Sequence, residues 1–166
     1  MKRILFITLL TGIMFTSFGQ KINKDLPSIK LKTLDNKTID LKEMVKPERT
    51  TVIIFWATWC SPCKKELENV DEMLDDWKKK YPVDLIAISI DDSRNSGKVK
   101  PYIDGKGYKF PVLLDINQDT KPVFNYPTVP FSAIIDKNKK IVYIHNGYVE
   151  GDEYNLEKQI KEICGK

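Results

Sequence analysis

The feature that most constrains the fold is an apolar run that leads directly into a pair of cysteines. Residues 51–56 are apolar or β-branched, which is typical of a buried strand, and Cys60 and Cys63 follow at once. Residues 61–80 then place apolar side chains at helical spacing: Cys63, Leu67, Val70, Leu74 and Trp77. Residues 83–90 form a second apolar run. A strand, a helix and a second strand in this order predict two parallel strands in an α/β domain.

The remaining patterns fit one domain of this class. Two hairpins are expected, one over residues 29–41 with a turn at 35–37 and one joining strands 131–135 and 141–145. A final amphipathic helix is expected over residues 152–164. Shorter helices are expected at residues 41–45, 95–106 and 118–124, with Gly105 and Gly107 ending the second, and an extended segment at 111–115. Residues 20–28 are expected to be an exposed lead-in, and residues 91–130 an insertion that decorates the domain.

The amino terminus has the pattern of a secretory signal over residues 1–19. Lys2 and Arg3 are followed by an apolar stretch over residues 4–15 and by small residues at positions 17 and 19, which predicts cleavage before Gln20. The stretch is short for a membrane span, which needs about 20 apolar residues. We therefore expect a chain exported to the periplasm or another extracytoplasmic space, with a domain over residues 27–164. An uncut leader that tethers the protein is the alternative.

Charge and cysteine content exclude several classes of protein. The formal net charge of +4, part of which leaves with Lys2 and Arg3, is too small to indicate binding to nucleic acid. Three cysteines are too few for a fold held together by disulfides. A hydrophobic core must therefore stabilise this domain.

The cysteine pair has three interpretations. A zinc site needs two further ligands, for which Cys164 and His145 are the candidates. A purely structural disulfide would stabilise little, because it closes a very short loop. Reversible redox chemistry is favoured, because the partial positive charge at a helix start stabilises the thiolate, the reactive form of cysteine.

Three segments resemble the thioredoxin superfamily, and within it the exported TlpA-like and ResA-like thiol-disulfide oxidoreductases. They are residues 55–66 (FWATWCSPCKKE), 110–115 (FPVLLD) and 129–136 (VPFSAIID), and the resemblance extends over about residues 27–164. It implies a thioredoxin-like α/β fold: a mixed central β-sheet flanked by helices, an N-terminal β-hairpin, and an insertion before the strand that follows a cis proline. It also implies thiol-disulfide exchange with exported client proteins, as a reductant that prepares apocytochrome c for haem. A membrane thiol reductant would be the electron donor, and no metal or organic cofactor is implied.

Position within the motif assigns different roles to the two cysteines. Cys60 lies at the helix entrance and is expected to be exposed, as the nucleophile that attacks a client disulfide. Cys63 lies one turn further in and is expected to be less accessible, as the residue that resolves the mixed disulfide. Trp59 is expected to shield the cysteines and to touch partners.

Two further site assignments come from the resemblance. It places a cis proline at Pro130, where Val129 could pair with an extended client segment. It also places a carboxylate at Glu66, on the border of the apolar helix face. A carboxylate at such a position is usually half-exposed to solvent, whereas a partly buried one near two thiols can accept or donate a proton. Cytosolic thioredoxins carry a buried Asp six residues before their first cysteine, but this chain has Ile54 there. Glu66 is therefore the candidate that carries the proton during exchange.

Two other functions remain open on the sequence. One is a thiol peroxidase, and the other is a non-enzymatic module that binds a metal or a partner. Cys164 is expected to be an ordinary helix residue, with a redox or intermolecular role as the alternative, and His145 a surface or hairpin residue.

Overall fold

The computed structural model describes residues 19–165, which form a single α/β unit. Nearly all of the expected signal sequence lies outside these residues. The strands are β1 (Gln20–Asp25), β2 (Lys30–Thr33), β3 (Thr38–Asp40), β4 (Thr50–Trp56), β5 (Val83–Ser89), β6 (Val112–Leu114), β7 (Phe131–Ile135) and β8 (Lys140–Asn146). The helices are α1 (Leu41–Met44), α2 (Ser61–Lys80), α3 (Val99–Lys106), α4 (Lys121–Phe124) and α5 (Asp152–Cys164), with a 3₁₀ turn at Ser96–Lys98.

All eight strands join one mixed sheet in the order β1-β8-β7-β4-β5-β6-β2-β3. The β4–β5 pair is parallel, as the strand–helix–strand pattern predicts. The β5–β6 pair is also parallel, and the other pairs are antiparallel. β4 is central, and all seven of its residues are buried. The expected thioredoxin-like sheet, with its hairpin of β2 and β3, is confirmed.

Helices cover both faces of the sheet. Successive residues of a strand point to opposite faces, and the end of β4 shows which helix lies on each. The Trp56 ring packs against Tyr102 of α3, at 5.4 Å between ring centroids, whereas Phe55 packs against Phe124 of α4 at 4.9 Å. α2 lies on the Trp56 face, beside α3 and in contact with α5.

Three sequence expectations need correction. Residues 20–25 are exposed but not an unstructured lead-in: they form β1, which pairs with β8 ahead of the expected domain start. β6 is part of the sheet, between β5 and β2, and not a decoration. Gly105 lies inside α3, which ends only at Gly107, where φ is +67°. Strands are predicted from the spacing of their buried apolar side chains. β1 is a polar edge strand and β6 has only three residues, so neither gives a clear pattern.

Candidate active site

The two cysteines lie at the N-terminus of α2 and are joined by a disulfide. Cys60 is the N-cap residue and Cys63 lies in the first turn, with their Cα atoms 5.3 Å apart. The Cys60 Sγ accepts a hydrogen bond from the Cys63 backbone N–H at 3.3 Å. Pro62 also sits in the first turn, where its missing N–H costs no helical hydrogen bond. When the disulfide opens, the helix terminus and this N–H favour negative charge on the Cys60 sulfur.

The cysteines differ less in exposure than the sequence predicts. Cys60 is 5% exposed and Cys63 is fully buried, so the expected order is confirmed but the expected exposure of Cys60 is wrong for the oxidised protein. In this form the Cys60 sulfur is bonded to a sulfur that lies in the core. Trp59, by contrast, is 61% exposed directly beside the pair. The indole of Trp59 is therefore far more accessible than the Cys60 sulfur.

A buried carboxylate that the sequence analysis missed holds the loop between β4 and α2. Asp91 accepts hydrogen bonds from the Thr58 N–H at 2.8 Å and from the Thr58 hydroxyl at 2.7 Å. Ser89 also donates to Asp91, at 2.8 Å. The available signal was that Asp91 directly follows β5, because the carboxyl ends of adjacent parallel strands lie at one edge of the sheet. The position of Cys60 thus depends on an anchor 31 residues further along the chain.

Val129 and Pro130 lie next to the end of β4, where the cysteine loop begins. The peptide bond between them is cis, as the resemblance implies. β7 starts at the next residue, Phe131, which is paired with Phe55 of β4. Both Val129 and Pro130 are buried, and the Val129 carbonyl accepts a hydrogen bond from the Thr128 hydroxyl at 3.3 Å. Fold and register therefore bring the two residues to the same end of the sheet as the cysteines.

Glu66 is buried on the face of α2 that carries Cys63. It is 3% exposed, so the half-exposed position expected from the sequence is wrong, because α5 packs beside this part of α2. The Ser132 hydroxyl donates to Glu66 Oε1 at 2.7 Å, while Oε2 has no partner among the described residues. Ser132 is paired with Ile54. The Glu66 carboxyl, which α2 carries, is therefore bonded to the strand residue that lies beside position 54. In cytosolic thioredoxins, position 54 carries the buried Asp.

Burial raises the pKa of Glu66 to about 8, from an ordinary value of 4.5. The hydrogen bond from Ser132 opposes this change, and the nearby carboxylates of Asp152 and Glu153 add to it. Near neutral pH the carboxyl is therefore mostly protonated while Cys60 and Cys63 are joined. A group in this state can donate a proton to a departing thiolate and can accept one at slightly higher pH.

Polar groups of β8 and α5 surround this carboxyl. His145 is paired with Ser132 and so lies in the β7–β8 hairpin, one of the two expected positions, but only 11% of its side chain is exposed, so it is not a surface residue. Its Nε2 lies 3.4 Å from Asp152 Oδ2. Glu153 accepts hydrogen bonds from the Tyr148 hydroxyl at 2.8 Å and from the Gly151 N–H at 3.0 Å. These neighbours could not be predicted from local sequence, because Glu66 belongs to α2, early in the chain, and Asp152 meets His145 only through the packing of α5.

Cys164 lies too far away to take part in the same site. Its thiol is 3.3 Å from the Thr50 hydroxyl, at the start of β4, whereas the redox pair follows the end of that strand. Seven residues of strand separate the two ends, roughly 20 Å. Cys164 therefore cannot complete a zinc site with Cys60 and Cys63. Over residues 19–165, no group of three or more acidic, His or Cys side chains is arranged to hold a metal ion.

Comparisons with known proteins agree with this geometry. The Redoxin family model matches residues 21–160. Thiol-disulfide oxidoreductase ResA of Bacillus thuringiensis (strain Al Hakam) is 31% identical over 156 residues, which cover 94% of this chain and 86% of that protein.

Two solved structures have the same fold. A thioredoxin-like protein from Porphyromonas gingivalis is 41% identical, with a TM-score of 0.75, over 86% of this chain and 95% of that one. A protein assigned as the thiol:disulfide interchange protein DsbE of Chlorobium tepidum is 25% identical, with a TM-score of 0.76, over 88% and 99% of the two chains. The chain therefore belongs to the Redoxin family and is a ResA-like member of the thioredoxin superfamily.

Proposed function

We propose that this protein exchanges disulfides with exported client proteins through Cys60 and Cys63, acting mainly as a reductant. The observation that carries the proposal is the cysteine pair at the N-terminus of α2, with the buried carboxyl of Glu66 on the same helix face as Cys63. The relative named as thiol-disulfide oxidoreductase ResA supports the same chemistry.

The reaction begins with the reduced protein. The Cys60 thiolate attacks one sulfur of a client disulfide, and the other client sulfur leaves as a thiolate that takes a proton from solvent. A mixed disulfide between Cys60 and the client results. The position of Cys60 at the helix terminus favours this step, because the thiolate is the attacking species.

Cys63 completes the reaction. Its thiol gives its proton to the Glu66 carboxylate, and the resulting thiolate attacks the Cys60 Sγ. The bond to the client breaks, and the second client sulfur leaves and is protonated. Two electrons have passed to the client, and the Cys60–Cys63 disulfide has formed.

The protonated Glu66 of the oxidised protein is suited to the return step. A dithiol donor attacks Cys60, the disulfide breaks, and Cys63 leaves as a buried thiolate. Glu66 lies three residues from Cys63 on one helix face, so it can give this thiolate its proton. In our proposal the donor is a membrane thiol reductant, and no metal or organic cofactor takes part.

Client recognition is assigned to Trp59, Val129 and Pro130. The exposed indole of Trp59 offers an apolar contact, and the backbone at Val129 can pair with an extended client segment. The secretory pattern of residues 1–19 supports a location outside the cytoplasm. The role in preparing apocytochrome c for haem is proposed on the resemblance to TlpA-like reductants alone. Within residues 19–165, no helix has both the length and the apolar character needed to cross a bilayer.

The test is a trapping experiment with Cys63→Ala. This variant lacks the resolving thiol, so reduced Cys60 should remain bound to disulfide-bearing proteins as a mixed disulfide that dithiothreitol releases. Mass spectrometry identifies the adduct and its cysteine. Cys60→Ala is the matched control and should trap nothing. If Cys63→Ala forms no adduct, and the wild-type protein consumes peroxide but not protein disulfides, the peroxidase alternative replaces this proposal.

A further inference from the structure

Two buried polar atoms without a partner belong to residues that line one small cavity. They are Oε2 of Glu66 and Nδ1 of His145, neither of which has a hydrogen-bond partner in the described part of the chain. The cavity has a volume of about 10 Å³ and is also lined by Ser132, Asp152 and Tyr143. This volume is close to what one water molecule needs, and a buried water usually joins otherwise unpaired polar groups.

The strand register places the imidazole beside the carboxyl. Ser132 and His145 lie directly opposite each other in β7 and β8, so their side chains project from the same face of the sheet. Ser132 donates to Glu66 from this face, which fixes the carboxyl above the same strand pair. A neutral imidazole carries one N–H. With that hydrogen on Nε2, facing Asp152, the Nδ1 atom of His145 is the nitrogen that can accept a proton.

His145 also lines a second, open space. A groove of about 330 Å³ lies between β1, β8 and α5, and its lining includes His145, Lys21 and Lys158. Neither the cysteine loop nor Val129 and Pro130 line this groove. His145 thus lines both the cavity at Glu66 and a groove that is open to solvent.

We propose that His145 is a positioning residue for thiol-disulfide exchange, and that with one water in the shared cavity it carries protons between Glu66 and the groove. The inference rests on the proposed function. After Glu66 has taken the Cys63 proton, Oε2–H passes a proton through the water to His145 Nδ1. Nε2, which faces Asp152, then releases a proton, and this proton leaves through the groove that His145 also lines. The reverse sequence reloads Glu66, so no proton is gained or lost.

Other titratable groups face this route from each neighbouring element, and any pH profile will contain their contributions. From α5 they are Asp152, Glu153 and Lys158, from β1 Lys21, from β8 Tyr143, and from the segment before α5 Tyr148.

The first experiment measures the rate at which Cys63 resolves a preformed mixed disulfide, in His145→Gln and His145→Ala. Gln can hold a water but cannot take up and release a proton, so resolution should slow about tenfold near neutral pH, as expected for loss of an assisting acid–base group. Imidazole in the buffer should restore the rate of His145→Ala, since the groove admits it. Ile144→Ala, a truncation of the neighbouring β8 residue, is the control and should neither slow nor respond to imidazole.

The second experiment needs no client and separates this inference from the proposed function. Infrared spectroscopy of the oxidised protein follows the titration of the Glu66 carboxyl, identified by its loss in Glu66→Gln. His145→Gln should shift the midpoint of this titration, whereas Ile144→Ala should not. An unshifted midpoint, or a resolution rate in His145→Gln equal to that of the wild type, would overturn the role of His145 even if exchange itself is established. A shifted midpoint in a protein that exchanges no disulfides would instead reject the proposed function.

Discussion

At the residue scale, Glu66 is a carboxyl with one satisfied oxygen in a place where ionisation is costly. Ser132 supplies a hydrogen bond to Oε1, but burial and two neighbouring carboxylates hold the pKa near 8. A buried Asp or Glu with an unpaired oxygen makes the folded protein less stable when the carboxyl group is ionised. The burial of Glu66 is understandable if its proton takes part in the reaction, and the thiol of the adjacent Cys63 is a group with which Glu66 can exchange that proton.

Glu66→Gln is expected to slow disulfide exchange by about 10- to 100-fold near neutral pH, because the amide cannot transfer a proton to or from Cys63. In the wild type, the rate of the resolving step should rise as pH approaches 8, since the carboxylate is the base, and this rise should be lost in the variant. Stopped-flow measurement of the step across pH provides the comparison. Glu72→Gln, an exposed change on the same helix, is the control, and equal profiles for both variants would contradict the assigned role.

The residues of the redox motif could be located from local sequence, but the environment of Glu66 could not. The spacing of Cys60 and Cys63 after an apolar run indicates both the chemistry and the helix start. The burial of Glu66 depends on Ser132 and on α5, which lie 66 or more residues away. The burial of His145 could not be predicted for the same reason: a single histidine in a strand reveals nothing about the helix that covers it.

At the scale of elements, the segment between β4 and α2 is held in place by Asp91. The carboxylate lies after β5 and accepts both the backbone N–H and the hydroxyl of Thr58. This arrangement ties the loop that carries Trp59 and Cys60 to the neighbouring parallel strand. The orientation of α2 relative to the sheet is thus supported at its N-terminus by a charge-assisted network.

Thr58→Val should reduce the free energy of unfolding by about 1.5–3 kcal/mol, since it removes a hydrogen bond to a buried carboxylate and leaves an acceptor unsatisfied. Thr58→Ser keeps the hydroxyl and should remain close to the wild type. Urea unfolding of the oxidised proteins gives both values. If valine and serine have the same effect, the hydroxyl bond to Asp91 contributes nothing measurable.

Among the elements, those with strong apolar periodicity were predictable. α2 was expected over residues 61–80 and is found at Ser61–Lys80, because its buried face repeats at helical spacing and Pro82 stops it. β4 and β5 were predictable as uninterrupted apolar runs. β1 was not, since its pairing with β8 uses backbone groups and only Ile22 is partly buried.

At the scale of the whole molecule, Glu66 couples stability to pH. Its folded-state pKa lies above the ordinary value of 4.5, so the folded protein binds more protons than the unfolded chain between pH 4.5 and about 8. The contribution to stability is complete below this window and is lost as pH rises through it. One such group accounts for a slope of at most about 1.4 kcal/mol per pH unit.

Glu66→Gln should therefore unfold with nearly the wild-type free energy at pH 5 and should be the more stable protein at pH 8.5. Chemical denaturation of the oxidised forms, without reductant, measures the difference at each pH. Taking the difference between variant and wild type removes the contributions of all other groups, and Glu72→Gln should run parallel to the wild type. A constant difference across the range would show that Glu66 has no raised pKa in the folded state.

The position of Cys164 has a consequence for oxidative folding. Its thiol rests against Thr50, at the end of β4 remote from Cys60 and Cys63. Once the sheet has formed, this third sulfur cannot reach the other two, so the native chain is protected against internal disulfide scrambling. Mispaired species, where they arise, must form before the sheet assembles or between separate molecules.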